Sequence, residues 1–279
     1  MVIDSHHHFW RYNPQDYGWI DESMSVLRRD FLPEDLLGAI AACGVDGVIS
    51  VQARQSIEET RWLLEFAAQH KFIRGVVGWA PLAATDALAQ LQSMAHHPKL
   101  RGVRHVVQDE PDDQFILRDD FNRGVSLLKD LGLRYDILVF ERQLAAAARF
   151  VDKHPSQIFI LDHIAKPKIK AGELEPWRKN LKDIARRPNV YCKISGMVNE
   201  ADWRAWTPAT LQPFFDVALE AFTPQRLMVG SDWPVCLVAC GYKRWIDIVT
   251  EWAAPLSPSE RKRFFDDTAI EAYQLEPNG

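Results

Sequence analysis

Short apolar runs recur along the chain, each followed by a stretch of helical periodicity. In the first half they are Val2-Ile3-Asp4, Gly47–Val51, Ile73–Gly78 and Leu100–Arg104; in the second, Tyr135–Val139, Ile158–Leu161, Val190–Ile194 and Leu227–Gly230. Runs that stay apolar rather than alternating with polar residues suit strands buried on both faces of a parallel sheet. Pro33–Ile40 opens with Pro and acids, as a first helical turn prefers. Ser56–Gln69 places Ile57, Arg61, Leu64 and Ala68 on helical spacing, and Phe121–Leu131, Glu141–Val151, Trp177–Ala185, Pro208–Ala221 and Lys243–Ala253 read alike. Eight strands alternating with helices predict βαβ units and an α/β fold. Eight units in about 250 residues fit a closed (β/α)8 TIM barrel, a single domain over residues 1–279. A doubly wound open sheet would usually carry a Gly-rich phosphate turn after its first strand; here histidines follow instead. The long segment 11–32, with Tyr12, Tyr17 and Trp19, is expected to lie as a loop over the barrel mouth.

Composition narrows the partners. The chain is 47% hydrophobic and 25% charged, ordinary for a globular protein. With 33 Lys and Arg against 38 Asp and Glu the net charge is −5, and no basic run occurs, which argues against nucleic acid and anionic membranes. No apolar stretch approaches the ~20 residues that span a bilayer. The start, Met-Val-Ile-Asp-Ser-His, lacks the pattern of a secretory signal, so a cytoplasmic location is expected. Four cysteines are too few for a disulfide scaffold and read as reduced thiols.

Active-site groups of such a barrel stand at the C-terminal ends of its strands. The first run leads into His6-His7-His8, and strand alternation puts His6 and His8 on one side with His7 opposite. Two imidazoles two residues apart suit a zinc-like ion. The sixth run ends in Asp162-His163, the eighth in Ser231-Asp232-Trp233, and the fourth in Arg104-His105. Each is a weak signal alone: a lone His is usually structural, and Asp232 could cap a helix. Their common position at strand ends is the stronger signal. Cys236 and Cys240 lack the further ligands a zinc site needs, His96-His97-Pro98 reads as a helix end, and 109–113 as a solvated acidic loop.

These motifs together resemble the amidohydrolase superfamily, whose His-x-His on strand 1, His on strand 6 and Asp on strand 8 match His6, His8, His163 and Asp232. Ile-Asp-Ser-His-His-His-Phe-Trp (3–10), Gly-Val-Arg-His (102–105), Asp-His-Ile-Ala-Lys-Pro (162–167), Lys-Ile-Ser-Gly (193–196) and Gly-Ser-Asp-Trp-Pro (230–234) resemble the amidohydrolase 2 group more closely, in particular its L-fuconolactonase-type sugar lactonases. The closing Phe265–Tyr273 is similar to that group's last helix. The resemblance implies a hydrolase that opens a small-molecule sugar lactone, an aldonolactone such as L-fucono-1,5-lactone, to the sugar acid. It implies one divalent metal, zinc first, on His6, His8, His163 and Asp232, without making it obligatory for turnover. The bridging Lys or Glu that binuclear members carry at the end of strand 5 has no counterpart in Tyr135–Phe140, so a two-metal site is not implied.

Ester hydrolysis needs an activated water and a stabilised oxyanion. On this reading Asp232 takes the proton from water and returns it to the ring oxygen, while His163 and Arg104 polarise the carbonyl. Trp10, Trp79 and Trp233 near strand ends are candidate faces for a sugar ring, and His105, Lys166 and Ser195 candidate polar contacts. Two enzymes on the same scaffold compete. A hydrolase of dicarboxylated pyrone-type lactones would want several arginines, and beyond Arg104 none stands at a predicted strand end. A metal-dependent decarboxylase would need a firmly held ion. A non-catalytic binding protein on the same barrel is the alternative of a different class. The sequence leaves the oligomeric state open.

Overall fold

The computed structural model describes residues 1–276; the last three residues of the expected domain, 277–279, lie outside them. Among the described residues, eight parallel strands pair in chain order: β1 (Ile3–His7), β2 (Gly47–Val51), β3 (Ile73–Gly78), β4 (Leu100–His105), β5 (Arg134–Ile137), β6 (Phe159–Leu161), β7 (Val190–Ile194) and β8 (Leu227–Val229). The sheet closes where His7 bridges Trp233, with Asp232 N donating to His6 O at 2.8 Å and His8 N to Trp233 O at 2.6 Å. Helices α1 (Pro33–Ala42), α2 (Ile57–Gln69), α3 (Ala87–Ala95), α4 (Asp119–Ser126), α5 (Leu144–Lys153), α6 (Trp177–Ile184), α7 (Pro208–Arg226, interrupted at Thr223) and α8 (Tyr242–Ala253) follow the strands in turn. This is the expected (β/α)8 barrel. One expected helix, Phe121–Leu131, divides: α4 stops at Ser126 and a short turn over Lys129–Leu131 ends at Gly132, whose φ of 71° is left-handed.

Two apolar layers hold the barrel. Val48, Val76, Val103, Phe159 and Val229 face the helices. Ile3, Ile49, Val51, Val77, Ile160 and Met228 fill the lumen, where α9 (Pro258–Lys262) leads through a π-helical turn into α10 (Thr268–Tyr273), which plugs the floor with Ala269, Ala272 and Tyr273. The plug is pinned at the strands' N-terminal ends, where Arg134 Nε donates to Ala272 O at 2.6 Å. With the floor closed by this plug, the opposite, C-terminal end is left open for chemistry. Segment 11–32 is clamped at its base, since Trp10 and Phe31 exchange backbone hydrogen bonds of 3.0 and 2.9 Å. No helix among the described residues is long and apolar enough to cross a membrane.

Candidate active site

β1 carries a register irregularity between Asp4 and His7. Ile3 and His6 therefore both meet the lumen, while Asp4 bonds Ser231 N, Ser231 Oγ and the Tyr242 hydroxyl outside it. His6 and His8 lie on one side and His7 turns away to Ser50 Oγ at 2.9 Å, as strand alternation predicts. His6 Nε2 is 3.2 Å from His8 Nε2; Asp232 Oδ1 lies 3.2 Å from His8 Nε2, 3.7 Å from His6 Nε2 and 3.9 Å from His163 Nε2. Four side chains separated by up to 226 positions in the chain thus meet at one strand rim.

Backbone conformation aims two of them. His163, Ile164, Ala165 and Lys166 run at φ of 52°, 46°, 58° and 47°, a left-handed turn of four non-glycine residues separated from β6 by Asp162 alone. Asp232 has φ 55°. Such conformations cost about 1–3 kcal/mol each and persist where surrounding structure enforces them, commonly at functional sites. Here Trp177 Nε1 caps the turn by donating to Ile164 O at 2.7 Å. Gly196 makes room for it: a Cβ there would sit 2.7 Å from His163 Nδ1. Ser195 Oγ, 2.9 Å from the same nitrogen, can donate to it or accept from it and so supports either ring tautomer.

Electrostatics divide the roles. Burial, partly opposed by Asp232 and Asp162, pushes His163 down to about 4, so the ring is neutral at pH 7. Burial also holds His6 well below its ordinary value. For Asp232 burial acts upward, but His163, the hydrogen bond with His8 and the charges of His6 and His8 outweigh it, and the carboxyl lies below the usual range. Asn199 Nδ2 donates to its other oxygen, Oδ2, at 2.6 Å. Asp232 is thus an ionised, oriented carboxylate beside the neutral rings of His6 and His163.

Beneath these groups lies a charge network that the sequence analysis does not anticipate. Lys193 Nζ, fully buried on β7, lies 2.6 Å from Asp136 Oδ2 on β5, 2.9 Å from Asp162 Oδ1 and 3.2 Å from His6 Nδ1. Tyr273 from the plug donates to the same Asp136 oxygen at 2.6 Å. Arg104 Nη1 contacts Asp162 Oδ2 at 3.0 Å and His6 Nε2 at 3.4 Å, and Nη2 donates to Gln52 O and Gln52 Oε1. Two cations balance two carboxylates, the condition for burying them.

A cavity of about 490 Å³ opens above, in the usual range for small-molecule sites. His8, His163, Asp232, Arg104 and Lys166 line it. Five other expected contacts do not. Trp10 is 0% exposed and packs on Tyr17, Trp19 and Phe31, its Nε1 bonded to Arg29 O. Trp233 is buried against Phe9 and Phe31. Trp79 Nε1 turns to His105 Nδ1 at 3.4 Å, and His105 pairs with Glu110 at 2.6 Å and stacks on Phe115. Ser195 stands behind His163. In each case internal packing or pairing has claimed the side chain. The aromatic walls come instead from Trp19, 39% exposed on segment 11–32, and Trp203, beside Asn199 and Glu200 after β7. Arg54, three residues past the end of β2, also lines the wall.

The donor set fits a metal. His6 Nε2, His8 Nε2 and Asp232 Oδ1 converge, while the opposite ring nitrogens meet Asp162 Oδ1 at 3.3 Å and Val51 O at 2.8 Å. Ligating histidines characteristically engage such outer acceptors. Tetrahedral zinc, with bonds near 2.0–2.1 Å, spaces its ligands by about 3.4 Å, close to the separations given above.

A closed barrel with His6, His8, His163 and Asp232 at its C-terminal rim defines an amidohydrolase-type site. The amidohydrolase family matches residues 3–275, and the chain belongs to it. The chain is similar to L-fucono-1,5-lactonase of Burkholderia multivorans, 44% identical over 286 residues that cover 99% of this chain and 96% of that one. L-fucono-1,5-lactonase of Burkholderia ambifaria is 34% identical over 282 residues, covering 99% and 97%. The crystal structure of an amidohydrolase from Burkholderia multivorans with bound zinc is 43% identical and superposes at a TM-score of 0.94, over 99% of this chain and 100% of that one.

Proposed function

We propose that the protein is a lactone hydrolase that opens a sugar lactone, an aldonolactone of the L-fucono-1,5-lactone type, to the sugar acid. The observation that carries this reading is Asp232: an ionised carboxylate on the cavity wall, anchored through Oδ2 by Asn199 and flanked by His8 and the neutral rings of His6 and His163. The full-length similarity to two L-fucono-1,5-lactonases supports the substrate class.

Water in the cavity loses a proton to Asp232 Oδ1 as its oxygen attacks the lactone carbonyl carbon. A carboxylate of low pKa is a weak base, so alignment by Asn199 and His8 contributes what basicity does not. With Ser195 donating to Nδ1, His163 presents Nε2–H to the developing oxyanion. Three Nη hydrogens of Arg104 are held by Asp162 and Gln52 and the fourth faces His6 Nε2, so it acts as a fixed positive charge beside that oxygen. The ring C–O bond then breaks, and the departing oxygen takes the proton from Asp232. His6, His8 and Asp232, with His163 beside them, would hold one divalent ion, zinc, which supplies Lewis acidity to the carbonyl when bound. Segment 11–32 acts as the cover of the mouth, carrying Asp16, Trp19 and Met24 onto the cavity wall. The partner is a small molecule, and four free thiols suit a reducing compartment, the cytoplasm.

A pH-indicator screen of 1,4- and 1,5-aldonolactones, with and without chelator, tests the reading. Proton release with a 1,5-lactone of fucose-like configuration is the expected result. Turnover of no aldonolactone under either condition would remove it.

A further inference from the structure

Three cations face the cavity, Arg54, Arg104 and Lys166, and each already has a carboxylate. Arg104 is held from behind by Asp162 at 3.0 Å. Arg54 Nη1 is 2.6 Å from Asp16 Oδ2, with Glu58 at 3.8 Å on the solvent side. Lys166 Nζ is 3.9 Å from Glu200 Oε1 and lies over the Phe140 ring. The wall itself bears four carboxylates, Asp16, Asp109, Glu200 and Asp232, against those three cations. The two outer pairs bring together segments far apart in the chain: Asp16 lies on segment 11–32 and Glu200 beyond β7.

We propose that Asp16 and Glu200 are specificity-determining residues, which occupy Arg54 and Lys166 so that the cavity admits neutral lactones and rejects carboxylated ones. This rests on the lactonase reading and extends it to substrate charge. A neutral sugar lactone loses nothing at such a wall, since its hydroxyls can bond to paired and unpaired groups alike. A lactone carrying a carboxylate finds no cation unclaimed among the described residues of the wall, and like charges at close range oppose its entry. The same arrangement acts on the product. Ring opening turns a neutral substrate into a carboxylate formed beside Asp232, so a wall with an excess of negative charge favours its departure.

The test uses Asp16→Asn, Glu200→Gln and the double variant, with charge-preserving Asp16→Glu and Glu200→Asp as comparisons. Two quantities are read: the affinity for sodium D-gluconate by calorimetry, and the ratio of kcat/KM for D-glucaro-1,4-lactone, which carries a free carboxylate, to that for the neutral D-glucono-1,5-lactone. The double variant is expected to bind gluconate at least about tenfold more tightly and to raise the ratio by a similar factor, with both gains shrinking at high salt. The charge-preserving variants are expected to stay near the parent protein. Folded neutralised variants with unchanged gluconate affinity would overturn the proposal. Because Asp16 is exposed, Asp16→Asn alone decides the matter if Glu200→Gln does not fold. The calorimetric arm needs no turnover, so a parent protein inactive on every neutral lactone would remove the lactonase reading and leave the charge-exclusion result readable.

Discussion

At the residue scale the site depends on where protons sit. Asp232 is the one wall carboxylate in contact with the imidazole cluster, and Asn in its place keeps the shape while removing the proton acceptor. Asp232→Asn is expected to lower lactone turnover by about 10²–10⁴-fold while the far-UV spectrum and Tm stay near the parent values. Near-normal turnover in the folded variant would contradict the mechanism. A second buried carboxyl reports on stability. Glu59 on α2 accepts from Ala53 N, Arg54 N and the Tyr17 hydroxyl, tying segment 11–32 to the cavity rim. Burial, against those hydrogen bonds, raises it from 4.5 to about 7. The folded state then binds its proton more tightly than the unfolded chain does. This contribution to stability is present in full below about pH 4.5 and is lost as pH rises through about 7. Glu59→Gln is expected to flatten the fall in stability between these limits by roughly 2–3 kcal/mol, since each tenfold difference in proton affinity between the two states is worth about 1.4 kcal/mol. Denaturant titrations across that pH range that are parallel in the two proteins would refute the assignment.

At the element scale, strand position was legible and strand-end geometry was not. The apolar runs predict all eight strands because a doubly buried strand needs continuous hydrophobicity. The same periodicity places Tyr191 and Lys193 on one side of β7, and a lysine in an otherwise apolar run is the visible sign of a buried charge whose partner the sequence does not specify. The left-handed turn 163–166 carries no glycine, the residue that would ordinarily signal it. Its compensation lies on another element, in Gly196, and two substitutions separate strain from contact. Gly172 and Gly196 have nearly equal φ, 67° and 65°, but an added Cβ meets nothing within 4 Å at Gly172 and the His163 ring at Gly196. Gly172→Ala is expected to cost about 1 kcal/mol and leave turnover intact. Gly196→Ala is expected to cost more and to reduce kcat at least about tenfold by displacing His163. Equal effects of both on kcat would show that His163 is not positioned by this contact.

At the scale of the whole molecule, the barrel joins its catalytic rim to its floor through charge. Lys193 lies between His6 above and Asp136 below, and Asp136 is bonded to Tyr273 of the plug. Lys193→Met would leave Asp136 and Asp162 as buried carboxylates without their shared cation, and a loss of about 3–5 kcal/mol in chemical denaturation is expected. A variant as stable as the parent would mean that these carboxylates are neutral in the folded protein. The sequence by itself determined the alternation of strands and helices and the class of barrel, and it put His6, His8, His163 and Asp232 at or just past strand ends, because strand ends follow from hydrophobic patterning and this fold gathers its strand ends at one rim. Tertiary structure alone decided which tryptophans face the cavity, which carboxylates neutralise Arg54, Lys166 and Lys193, and that Trp10, Trp79 and Trp233 belong to packing. Those choices depend on the direction of a side chain from a loop or a register shift, and on partners tens to hundreds of residues away, neither of which local patterning encodes.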